Sequence, residues 1–181
     1  MKPSVGFLET SSLAKGIESL DAMVKAAEVE VLMTTMLPRG KYVIVLGGEL
    51  AEIQSSMSVG LNIAGNSTLD HFIIQNVHEQ IMPALKARIK VPSLEAVGII
   101  ETKEMASAIY AADAAVKKAT VTLIEARNQP GGKGMVVLTG EVGAVRAAVS
   151  AGVETIKKDG MLVSQVVIPY AHASLHKALT S

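Results

Sequence analysis

Ala96-Val97-Gly98-Ile99-Ile100-Glu101-Thr102 restates, 92 positions later, the opening stretch Ser4-Val5-Gly6-Phe7-Leu8-Glu9-Thr10. The register persists. Asp21, Lys25, Ala27 and Val29 return as Asp113, Lys117, Ala119 and Val121, and Pro38, Gly40 and Lys41 as Pro130, Gly132 and Lys133. Leu46, Gly48 and Glu49 return as Leu138, Gly140 and Glu141. Beyond Gly60 and Gly152 the offset grows to 94, so that Ile74, His78 and Leu85 meet Ile168, His172 and Leu179. One two-residue insertion in a surface segment accounts for the change, which loops tolerate. The chain is a tandem duplication.

Each half carries the same periodicities. Val5–Glu9 is a short apolar run, and Thr10-Ser11-Ser12 then offers helix-capping residue types. Leu13, Ile17, Leu20, Val24 and Ala27 recur at helical spacing. Val29–Thr35 and Tyr42–Leu46 read as strands around the Pro/Gly turn 36–41, with a helix from Glu49, a strand over Leu69–Gln75 and a closing helix from His78 to Lys86. The second half predicts strands at Val97–Glu101, Val121–Arg127, Met135–Leu138 and Leu162–Ile168. Its helices are expected at Met105–Lys118, Glu141–Lys157 and His172–Leu179. The order β-α-β-β-α-β, twice over, is that of two tandem ferredoxin-like α+β units. The expected domains are 1–88 and 96–181, joined by a linker at 89–95.

Composition narrows the function. Of 181 residues, 49% are hydrophobic and 19% charged, and the mean hydropathy is positive. Two small domains have much surface for their cores, so this surplus predicts apolar area buried against other chains. Seventeen basic residues balance seventeen acidic ones, which removes the electrostatic footprint of a nucleic-acid binder. Three Tyr and two Phe leave few stacking platforms for single strands. The absence of cysteine excludes disulfides, thiolate zinc sites and cysteine-ligated iron–sulfur clusters. Neither a signal peptide nor an apolar run of membrane-spanning length is visible, so a cytosolic protein is expected.

Chemistry-bearing patterns are sparse. His172 and His176 are four apart, but Ala173 stands where a zinc-protease helix has Glu, and Met82 occupies the place of His176 in the first half; no metal site is expected. Gly47-Gly48 and Thr139-Gly140 read as tight strand-to-helix turns. Glu49 and Glu141 would place a carboxylate on the positive helix end that a phosphate needs. No nucleophile elbow is present, and no catalytic residue is expected. Two repeated features remain. Asp21/Lys25 and Asp113/Lys117 share a helix face and suit an intrahelical ion pair. The loops Pro38-Arg39-Gly40-Lys41 and Pro130-Gly131-Gly132-Lys133 suit either close backbone approach or ordinary turn chemistry.

Taken together, the opening Val-Gly-Φ-Φ-Glu-Thr, the stretch Asp21–Val29, the two Gly-Lys loops, the Gly-Gly-Glu and Thr-Gly-Glu helix starts and the ending Val167-Ile168-Pro169-Tyr170-Ala171-His172 resemble the bacterial microcompartment shell-protein family. The resemblance spans both halves. It points to the tandem class that includes the trimeric shell protein of propanediol-utilising compartments. It implies a non-enzymatic homotrimer shaped as a pseudohexagonal tile, located in the microcompartment shell of a bacterial cytoplasm. Such a tile would adjoin other shell proteins and enclosed enzymes, without nucleic acid or membrane. It also implies roles for residues. Leu37, Pro38, Arg39 and Gly40, with Gln129, Pro130, Gly131 and Gly132, would surround a central pore for small metabolites. Asp21, Lys25, Asp113, Lys117, Asn76, His78, Tyr170 and His172 would lie at tile edges. Asn76 and Tyr170 stand where the family has Arg. Pro38 stands where the propanediol-type relative has a cluster-binding Cys, so no cofactor is expected. The rival reading is a ferredoxin-like trimeric metabolite sensor, and saturable ligand binding would favour it.

Overall fold

The computed structural model describes residues 3–180; the outer ends of the expected domains, 1 and 181, lie outside them. The chain divides between Met82 and Pro83 into two compact units. The first holds β1 (Ser4–Thr10), α1 (Leu13–Ala26), β2 (Glu30–Leu37), β3 (Lys41–Gly48), α2 (Leu50–Ala64) and β4 (Thr68–Ile74), and α3 (Ile81–Lys86) crosses the division. The second holds β5 (Ala96–Thr102), α4 (Met105–Lys118), β6 (Thr122–Asn128), β7 (Gly134–Gly140), α5 (Val142–Lys157), β8 (Leu162–Ile168) and α6 (Ser174–Thr180). The sheets run β2-β3-β1-β4 and β6-β7-β5-β8, antiparallel throughout. This is the ferredoxin-like order, twice.

Strand alternation builds the cores. Leu8 of β1 and Ile44 and Leu46 of β3 face Met23 of α1 and Ile53 and Met57 of α2 in one buried cluster. Each such side chain contributes roughly 1.5–3 kcal/mol by leaving water. Even the irregularities are duplicated: the register slips after Glu9 and after Glu101, and between Val31 and Met33 as between Leu123 and Glu125. Helix-to-sheet contacts are matched by size rather than by identity. Gly16 of α1 lies against Tyr42 of β3, whereas Ala108 of α4 lies against Gly134 of β7. The two-residue insertion is split, because α2 has 15 residues and α5 has 16, and the turn Gly65–Ser67 becomes 158–161.

Three local expectations are corrected. Gly47 and Gly48 are not the turn but the end of β3, paired with Val5 and Ser4, since backbone alone suffices to continue a ladder. The closing helices start at Ile81 and Ser174, later than His78 and His172, because each imidazole folds back onto the backbone. The segment before β5 is also no free tether. The Ile89 N–H donates to the Ile124 carbonyl at 2.8 Å, and Val91 and Leu94 pack with Leu179 of α6 over Val97, Ile124 and Val137. His176 Nε2 donates to the Val91 carbonyl at 2.6 Å, which places the ring proton on that nitrogen.

Candidate functional site: the paired hairpin loops

The β2–β3 and β6–β7 hairpins end in exposed loops of different build. In the first, Leu37 closes β2 half-buried, and Pro38, Arg39 and Gly40 form a single exposed turn. Arg39 has φ 66° and ψ 27°, and Gly40 has φ 73°. A left-handed conformation costs a non-glycine residue about 1–2 kcal/mol. The matching residue in the second copy is Gly131, at φ 88°, where that cost vanishes. There the Gly132 N–H donates to the Gln129 carbonyl at 3.1 Å across Pro130 and Gly131, the arrangement of a type II turn. The Gln129 N–H donates to the Lys133 carbonyl at 2.7 Å and closes the loop.

Strand carboxylates steady both loops. Lys133 Nζ lies 2.6 Å from Glu101 Oε1. Lys41 Nζ lies 2.9 Å from the buried Glu9 Oε1, an ion pair by distance whose angle falls short of a hydrogen bond. Sequence reading missed Glu9 and Glu101 as partners. The signal was present, since the motif Glu and the loop Lys recur together, but pairing them requires the strand register. Arg88 and Glu125, which stand 2.5 Å apart, were missed as well.

The expected edge residues fall into two groups. Asp21 and Lys25 pair at 2.6 Å on the exposed end of α1, and Asp113 and Lys117 pair at 2.5 Å on α4 with Asp113 buried. Asn76, exposed at φ 51°, and Tyr170, almost wholly exposed, follow β4 and β8. Two residues beyond each, His78 Nδ1 accepts the Gln80 N–H at 3.3 Å and His172 Nδ1 accepts the Ser174 N–H at 3.2 Å. Both imidazoles therefore serve the same local turn, the second also contacting Ser174 Oγ at 2.8 Å.

Among the described residues no group of three or more His, Cys, Asp or Glu could hold a metal ion, and no helix is long and apolar enough to cross a membrane. The loop Leu37-Pro38-Arg39-Gly40 offers no side-chain ligand for an iron–sulfur cluster, only a cation, so that group does not fit these residues. At the start of α5, Glu141 caps the helix by accepting the Ala144 N–H at 3.0 Å. The Gly143 and Ala144 N–H groups hold its carboxyl below the usual range, so the chain's own carboxylate occupies the helix end that a phosphate would need.

Comparison with known proteins agrees with this duplicated architecture. The BMC domain profile matches residues 4–77 and again 96–171. The bacterial microcompartment shell protein PduT of Citrobacter freundii is 36% identical, over 99% of this chain and 98% of its own. The shell protein PduA of the same organism is 41% identical over 47% of this chain but 91% of its own, so one half of this chain answers to nearly all of that protein. The crystal structure of a microcompartment protein from Desulfitobacterium hafniense DCB superposes with a TM-score of 0.93 at 43% identity, covering 98% of this chain and 99% of the other. The fused permuted hexameric shell protein MSM0275 shares the fold, with a TM-score of 0.63 at 20% identity. The chain belongs to the BMC-domain family of microcompartment shell proteins and carries the domain twice in tandem.

Proposed function

We propose that three copies of this chain close into a non-catalytic, pseudohexagonal tile of a bacterial microcompartment shell, lying among other shell proteins in the cytoplasm. The observation that carries this reading is the unequal burial of one face in the two copies. Ile17 and Val24 of α1 are 50% and 40% exposed, whereas their counterparts Ile109 and Val116 on α4 are 0% and 5% exposed. Val31 of β2 and its counterpart Leu123 of β6 differ in the same sense. An apolar face left open in one repeat and closed in the other calls for a cover. A head-to-tail contact that closes into a ring supplies one to every chain.

In this tile the loops 37–40 and 129–132 surround the central opening. Arg39 then places three cations there. Keeping Arg where its own repeat uses Gly holds a charge at the loop tip at a conformational cost, as strained functional positions do. A basic ring favours anions, so small anionic metabolites are the expected traffic. The test is Arg39→Glu in reconstituted shells: passage of anions should fall while that of neutral solutes holds. Equal anion passage would overturn the role given to Arg39.

A further inference from the structure

The second loop is fastened to a buried carboxylate that the first lacks. Glu125 of β6 takes the position of Met33 of β2, and its side chain is 3% exposed. Arg88 Nε stands 2.5 Å from Glu125 Oε2, and Gln129 Nε2 donates to Glu125 Oε1 at 3.3 Å. Glu125 is in register with Val137, which is in register with Ile99, so it lies on the sheet face that also carries Glu101. Both ends of the loop are thereby tied to strand carboxylates: Gln129 to Glu125, and Lys133 to Glu101. Only one of these ties has a counterpart in the first repeat. Lys41 faces Glu9 there, but Leu37 and Met33 replace Gln129 and Glu125 with an apolar pair.

A buried carboxylate is costly unless paired, and Met33 shows that an apolar side chain serves the same fold position. The charge must then do something other than pack. Gln129 is the residue whose backbone carbonyl and N–H both close the loop, so fixing its side chain fixes the loop's base. Arg88 comes from the segment between the repeats, and the adjacent Ile89 N–H is bonded to Ile124, the neighbour of Glu125. The geometry points to Glu125 as a positioning residue: with Arg88 it anchors Gln129 and so sets the 129–133 loop, coupling that loop to the segment between the repeats. Its bearing on traffic rests on the loop's place at the opening; the anchoring itself does not.

The test is amide hydrogen exchange on the intact, assembled protein, read at Gly132, whose N–H closes the turn. Gln129→Leu should speed that exchange by about tenfold or more, the scale of one lost hydrogen bond to a charged group, with β5 and β7 unchanged. R88M/E125M removes both charges together and leaves no lone buried ion, so it should fold and show the same local effect. Adding Gln129→Leu to it should change nothing further. R88M/E125Q, which restores a neutral acceptor for Gln129 but not the tie to Arg88, should recover only part of the protection, and exchange at the wild-type rate there would remove Arg88 from the anchor. Exchange at Gly132 close to wild type in Gln129→Leu, or a rise shared by all strands, would overturn the assignment. Anion passage measured on the same variants separates the two readings. Faster exchange with unchanged passage upholds the anchoring and removes the loop from the conduit, while altered passage with unchanged exchange overturns the anchoring.

Discussion

Replacing Arg39 with Gly should move stability and traffic in opposite directions. Arg39 sits at φ 66° in an exposed turn, so little packing is lost with its side chain. Releasing a non-glycine residue from the left-handed region returns about 1–2 kcal/mol, and the greater freedom glycine loses on folding takes back about 0.5–1 kcal/mol. The net gain is about 0.5–1 kcal/mol per chain. Gly131→Arg is the reciprocal change. A Cβ there meets no atom within 4 Å, so its cost is conformational and of similar size with opposite sign. The swap R39G/G131R should then lie near the wild type in stability and carry the cation on the other loop. Urea unfolding at fixed protein concentration measures the first quantity, and anion passage across reconstituted shells the second. A lower urea midpoint for Arg39→Gly would rule out backbone strain at this position, and anion passage that survives the loss of the charge would rule out its role in traffic.

Gly16→Ala would set a Cβ 2.6 Å from Tyr42 Cδ1 and should cost about 1–3 kcal/mol despite the better helix propensity. Pairing it with Tyr42→Gly, the combination the second repeat uses, should give a double mutant less destabilised than the sum of the singles. Lys25→Ala should alter the melting temperature little, because the Lys25–Asp21 pair is exposed and such pairs contribute about 0–1 kcal/mol, whereas Lys117→Ala withdraws a cation from the buried Asp113 and should cost more. Loss of extended sheets under the electron microscope, with trimers intact, would support the edge role of these lysines. Glu141→Gln should be less stable than wild type at neutral pH. The folded-state pKa of Glu141 is depressed, so its contribution is present above the ordinary carboxylate pKa and is lost as pH falls through the folded value. The two proteins should therefore converge in acid, as thermal scans across that range would show.

Much of this was legible because duplication turns one sequence into a comparison of two. Turn glycines, motif carboxylates and loop lysines stand out when they recur at one offset, and the strand–helix order follows from periodicity. What escaped depends on register or on differences between the copies. The Lys133–Glu101 pair spans 32 residues and is visible only once β5 and β7 are aligned. The strain at Arg39 lay hidden in plain comparison with Gly131. Glu125 is a charged residue where its repeat has Met33, a substitution that periodicity alone cannot distinguish from a surface change. The helix ends were misplaced because His78 and His172 bond their own backbone, a local competition that composition does not reveal.

Whether three chains close into a ring can be read from the native mass, by light scattering on the eluted protein. The closed trimer should give about 57 kDa, three times the chain mass of 18.9 kDa. A species of 18.9 kDa that persists at micromolar concentration would leave the α1 face uncovered and contradict it.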